Sequence, residues 1–120
     1  MKEKQSNRIN AKVVLCKCPK NKRVYGMRLE EQGGDWVRTW AFKLDEAAAK
    51  REGFDTETTR GTMRPTLDYP GCPYCGGTSL NQCKCGKIFC GKAGEATCPW
   101  CGTTSTYSPV DRLSVQGGGL

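Results

Sequence analysis

Nine cysteines and no histidine mark this 120-residue chain. Without His, imidazole acid–base catalysis, His-based triads and mixed Cys/His metal sites are excluded. Two stretches repeat one pattern, C-P-x-C-G: Cys72-Pro-Tyr-Cys75-Gly76 and Cys98-Pro-Trp-Cys101-Gly102. Pro presets the turn, and the Gly after the second Cys permits a left-handed backbone, so both sulfurs can face one ion. Backbone N–H groups of such a knuckle favour the thiolate form. Two knuckles supply the four thiolates of a closed tetrahedral zinc site. The spacing therefore predicts one zinc held by Cys72, Cys75, Cys98 and Cys101. The competing reading is two disulfides or free thiols.

Five cysteines remain. Between the knuckles, Cys83-Lys-Cys85-Gly86-Lys-Ile-Phe-Cys90 reads as a β-hairpin with its turn at residues 85–88 and Cys83 facing Cys90 across the strands. Cys16 and Cys18 alternate on one face of an upstream strand. Cys16, Cys18, Cys85 and Cys90, with Cys83 the alternate, are the expected second tetrathiolate site, joining the two halves of the chain. Two other arrangements stay open. In one, Cys83, Cys85 and Cys90 mix with the knuckle cysteines in a shuffled pair of sites. In the other there is a single metal, with five spare thiols.

The elements that must position these thiols are short. Residues 1–11 are polar and charged and read as a disordered basic arm. Residues 12–18, 24–29 and 36–43 alternate or are rich in aromatic and β-branched residues, with turns at 19–22 and 32–35. They predict a three-stranded antiparallel meander. A short helix follows, with Asp45 as N-cap, Glu46 in the first turn, Lys50 and Arg51 in the last and Gly53 as the stop. Two turns of helix are marginal alone, so it must pack on the sheet, through Ala48, Ala49 and Phe54. The expected organisation is a meander-and-helix subdomain over 12–64, a linker over 65–70, a zinc-ribbon-like module over 71–107 and a flexible tail over 108–120. The fold class is thus small, β-rich α+β and metal-stabilised.

Composition agrees with this class. Only 37% of residues are apolar, against a typical 45–50%, and small cores of this kind need staples. No run of apolar residues is long enough for a membrane span, and the N-terminal ten residues lack a secretory h-region. Thiols in this number are expected to bind metal in a cytoplasmic protein rather than pair as disulfides. The formal charge is +7, all of it from residues 1–24. Such a segment is a nucleic-acid footprint or simply a solvated arm and hairpin. Trp36, Arg38, Trp40 and Phe42 are expected to share one strand face. That face is either a recognition platform for a phosphopeptide or base, or a packed face with Arg38 reaching outward. The rings of Tyr74 and Trp100 are expected to cover the metal site. Residues 103–107 are either a phosphorylation target or a last strand. No nucleophile with a base, phosphate loop or cofactor fingerprint is present, and no enzyme activity is expected.

The knuckles, the C-x-C-G-K-x-F-C run from Cys83 to Cys90 and the Gly94-Glu-Ala-Thr97 lead into the last knuckle together resemble the TerY-type C-terminal metal-binding domain of bacterial tellurium-resistance proteins. The resemblance covers about residues 71–102. It implies a bacterial, cytoplasmic zinc-binding adaptor. Family members follow a von Willebrand factor A-like domain and accompany kinases and PP2C-like phosphatases in stress-associated phosphorylation. This chain carries no such domain. Beside the adaptor stand a nucleic-acid-binding zinc ribbon and a rubredoxin-like or thiol redox protein, since a tetrahedral S4 site suits iron as well as zinc.

Overall fold

The computed structural model describes residues 10–119; the expected basic arm lies almost wholly outside them. In chain order the elements are β1 (Ala11–Cys18), β2 (Arg23–Gln32), β3 (Asp35–Lys43), α1 (Glu46–Arg51), β4 (Glu57–Pro65), β5 (Leu80–Gln82), β6 (Ile88–Cys90), β7 (Gly94–Thr97), β8 (Thr104–Tyr107) and β9 (Arg112–Gly119).

Five of these strands close on themselves. β1 pairs with β2 and β2 with β3, antiparallel. β3 runs parallel to β4 over 36–38 and 63–65. β4 pairs antiparallel with β9, and β9 returns to β1 through Lys12–Gly119, Val13–Gly118 and Val14–Gly117. The ring β1-β2-β3-β4-β9 leaves no free edge among its members. The strand alternation explains its interior. Val14, Cys16 and Cys18 of β1 and Tyr25, Met27 and Leu29 of β2 are all fully buried, with Met63, Leu113 and Val115 opposite them.

Helix α1 lies outside the ring. Its cap forms as the sequence dictates: the Asp45 carboxylate accepts from the Ala48 N–H at 2.7 Å, and Gly53 leaves the helix at φ +76°. Ala49 and Phe54 cover Val13, Leu15, Phe42 and Leu44 on the outer face. Ala48 is only half-buried. The tip of the Phe42 ring lies over Gly26, where a Cβ would come within 2.7 Å of it.

Four expectations are corrected here. The segment expected to be a flexible tail over 108–120 contains β9, which closes the ring. Residues 57–65, placed at the end of the first subdomain without a strand, form β4. The linker over 65–70 separates no two bodies, because β6 joins β1 in parallel at the Lys17–Phe89 rung and carries β5 with it. The sheet is mixed, and the first three strands are part of a closed ring rather than a free meander.

The expected aromatic face on β3 is also absent. A register shift lies opposite Arg28 and Leu29: Arg28 pairs with Trp40 but Leu29 with Arg38, so Thr39 is an extra residue. Such a bulge reverses which side chains face inward. Arg38 and Ala41 therefore point into the ring, while Trp40 stands 54% exposed. Arg38 does not reach outward; its side chain is 1% exposed.

Candidate metal centre

The segment between β4 and β9 carries both knuckles, and its backbone repeats one turn three times. In the first knuckle the Gly76 N–H donates to the Cys72 carbonyl at 2.8 Å, and the Cys72 N–H to the Gly77 carbonyl at 2.8 Å. In the second, the Gly102 N–H donates to the Cys98 carbonyl and the Cys98 N–H to the Thr103 carbonyl, both at 2.9 Å. The shorter run at Cys83 does the same, with Gly86 N–H to Cys83 carbonyl at 2.9 Å and Cys83 N–H to Lys87 carbonyl at 3.0 Å. Gly76, Gly86 and Gly102 sit at φ +79°, +90° and +82°, a region that a Cβ disfavours. Residues 83–86 are thus a third knuckle.

These turns bring the thiols together in two groups of four. Centre 1 is Cys18, Cys72, Cys75 and Cys90; centre 2 is Cys83, Cys85, Cys98 and Cys101. Within each group all four sulfurs lie within 4.8 Å of one another. The Sγ–Sγ separations are 3.5 Å for Cys75–Cys90, 3.6 Å for Cys83–Cys101 and 3.9 Å for Cys85–Cys98. A tetrahedron with metal–sulfur bonds of about 2.3 Å has sulfur edges of about 3.8 Å. A disulfide needs about 2.05 Å, and all nine cysteines are free thiols. Both groups therefore have the spacing of a metal tetrathiolate.

The electrostatics agree. The Cys85 backbone N–H, followed by the Tyr107 hydroxyl, holds the Cys83 thiol down at about 6. At Cys75 burial raises the thiol, but hydrogen bonds from the Gly77 N–H and from Cys90, Cys72 and Cys18 together pull it below its ordinary value. Burial, then the charges of Cys16 and Cys72, push Cys90 far up. Thiols so divided cannot all ionise unaided; a divalent cation within each group of four supplies the missing stabilisation.

The structure regroups the expected ligands. The knuckles do not share an ion: Cys72 and Cys75 belong to centre 1, Cys98 and Cys101 to centre 2. The β5–β6 hairpin divides them. Leu80, not Cys83, lies opposite Cys90, so Cys83 and Cys85 sit at the turn end and Cys90 at the far end of β6. The arrangement is the shuffled one, with Cys18 added. Cys16 and Cys18 do not act as a pair. Residues two apart on one strand face are separated by about 6.6 Å, too far for both sulfurs to reach one ion. Cys18, at the strand end, joins centre 1; Cys16 stays in the ring interior, where burial pushes its thiol up to about 12. Cys16→Ala is accordingly expected to retain two metals per chain by native mass spectrometry, at a modest stability cost of about 1–2 kcal/mol. Loss of one metal would overturn the grouping.

Tyr74 and Trp100, at equivalent knuckle positions, clamp the centres to the ring. The Tyr74 hydroxyl donates to the Val24 carbonyl at 3.0 Å, and its ring meets Tyr25 edge-on at 6.3 Å. Trp100 Nε1 donates to the Ile88 carbonyl at 2.8 Å. Two ammonium groups approach its ring, Lys17 Nζ at 4.4 Å and Lys87 Nζ at 4.7 Å from the centroid. Cys83, Phe89, Cys98 and Tyr107 form a second small core around centre 2. Its outer floor is the β7–β8 hairpin, with the last knuckle as its turn. Residues 104–107 are thus a strand.

Sequence comparison agrees with the chemistry of the two tetrads. The family model of the TerY-C metal binding domain matches residues 41–118, a span that runs from β3 to the end of β9 and holds seven of the nine cysteines. No curated protein and no solved structure gives a significant match. The chain belongs to the TerY-C metal-binding domain family.

Proposed function

We propose that the protein is a structural zinc module that serves as a protein-interaction adaptor, in the cytoplasm of a bacterium, within a phosphorylation system of kinase, phosphatase and von Willebrand A-like proteins. One observation carries the reading: each tetrad offers four thiols to its ion. A tetrathiolate zinc has no open position for water or substrate, so the ion stabilises the fold and does not catalyse. Zinc is favoured over other divalent ions because soft thiolates in a tetrahedral set suit it. The partner class comes from the family resemblance.

Elemental analysis of fresh protein should give two zinc ions and no colour; a red protein with iron would move the redox reading to the front. The zinc-loaded chain is then titrated by calorimetry against a kinase, a PP2C-like phosphatase and a von Willebrand A-like domain. Saturable binding to one of them supports the adaptor. Binding to none, together with nucleic-acid binding that falls steeply with salt, would replace it with the nucleic-acid reading.

A further inference from the structure

Among the described residues, Arg38 is the one charged side chain that is buried. A buried charge without a close partner costs several kcal/mol, so its surroundings are decisive. Its nearest ion partner, Asp111, is 3.6 Å away and half-exposed. Arg38 Nε and Nη1 have no hydrogen-bond partner, nor have the Tyr25 and Tyr69 hydroxyls nearby. Among the described residues no Asp or Glu is buried.

The guanidinium packs against a ring that belongs to the buried cluster around centre 1. Its carbon stands 5.2 Å from the centroid of the Tyr69 ring. Tyr69 is three residues before Cys72. It shares one contiguous buried cluster with Cys16, Cys18, Cys72 and Cys90. A divalent ion with four thiolates carries a net charge of −2. Once centre 1 is loaded, that charge sits in the same buried cluster as Tyr69, the ring that Arg38 covers, and burial leaves the two charges poorly screened.

We infer that Arg38 is the buried counter-charge of centre 1, so that the ring interior favours a tetrathiolate loaded with a divalent ion. The arginine lowers the electrostatic cost of gathering four thiolates, and the loaded centre lowers the cost of burying the arginine. Among the described residues no second buried cation is available to centre 2, whose thiols Cys85 and Cys101 are exposed. The inference rests on centre 1 holding a divalent ion.

The test uses the full chain loaded with zinc, a graded chelator and cysteine-resolved alkylation, which reports each centre separately. Arg38→Met keeps the bulk and removes the charge. It is expected to lower the zinc affinity of centre 1 about tenfold, with Cys72 and Cys90 alkylated at lower chelator, and to leave centre 2 within twofold. Arg38→Lys should retain most of the affinity. Unchanged centre 1 affinity in Arg38→Met, or an equal shift at both centres, would overturn the inference. Should Arg38→Met fail to fold, Arg38→Lys and Asp111→Asn decide. Near-native centre 1 affinity in Arg38→Lys, with no loss in Asp111→Asn, supports the role. Loss in Asp111→Asn matching that in Arg38→Lys makes Arg38 merely the partner of Asp111. Absence of zinc from centre 1 in the native chain would instead refute the metal reading itself.

Discussion

Cys18→Ser is expected to reduce the metal content from two ions to one and to abolish the cooperative unfolding of the ring. Cys18 ends β1, the strand that pairs with β2, β9 and β6. Its sulfur ties that strand to the first knuckle and to Cys90. A structural zinc contributes about 10–16 kcal/mol in small modules, comparable with the whole stability of about 5–15 kcal/mol that a domain has. Cys101→Ser should also lose one ion, with a different result. Centre 2 is packed in its own small cluster with Phe89, Tyr107 and Trp100, beneath a two-stranded sheet separate from the ring. Its loss should disorder residues 94–107 and leave the ring folded. Elemental analysis together with amide NMR distinguishes the two variants. Identical behaviour, or two ions in Cys18→Ser, would refute the division of labour between the centres.

The second large effect is expected from one methyl group. At Gly118 a Cβ would overlap the Gly53 carbonyl and come within 3.1 Å of the Phe54 Cα. At Gly117 it would lie 2.5 Å from the Val13 carbonyl oxygen. These neighbours are backbone and cannot rotate away. Gly118→Ala is therefore expected to destabilise the protein by about 2–3 kcal/mol in urea unfolding. Ser114→Ala, exposed on the same strand, should stay within about 0.5 kcal/mol. Equal midpoints for the two would mean that β9 does not close the ring.

Glycine explains why this strand escaped the sequence reading. Gly117, Gly118 and Gly119 look like a flexible end because Gly is a poor strand former. Here the absence of side chains is what lets β9 approach β1 and the turn after α1 so closely. The strands β1 to β3 and helix α1 were legible because alternation and capping are local signals. So were the knuckles, whose Pro and Gly define a turn within five residues. The partnership of the knuckles was not legible, since it depends on which end of the β5–β6 hairpin each one meets. One signal pointed the right way: Cys83-Lys-Cys85-Gly86 ends in the same Cys-Gly step as the two longer knuckles and is a turn in its own right. The bulge at Thr39 was equally hidden, because a single extra residue turns Arg38 from an outward to an inward position without altering the pattern of residue types.

The lone parallel rung between Lys17 and Phe89 has a consequence for how the chain reaches this state. It brings Cys18 beside Cys90, so centre 1 must close a long loop between distant positions, whereas centre 2 draws all its ligands from residues 83–101. Contacts between distant positions form slowly, after the loop between them has been closed. When the full chain refolds, centre 2 should capture its ion first, as a local nucleus, and the ring should close last, when β9 docks and centre 1 locks the early strands to the late ones.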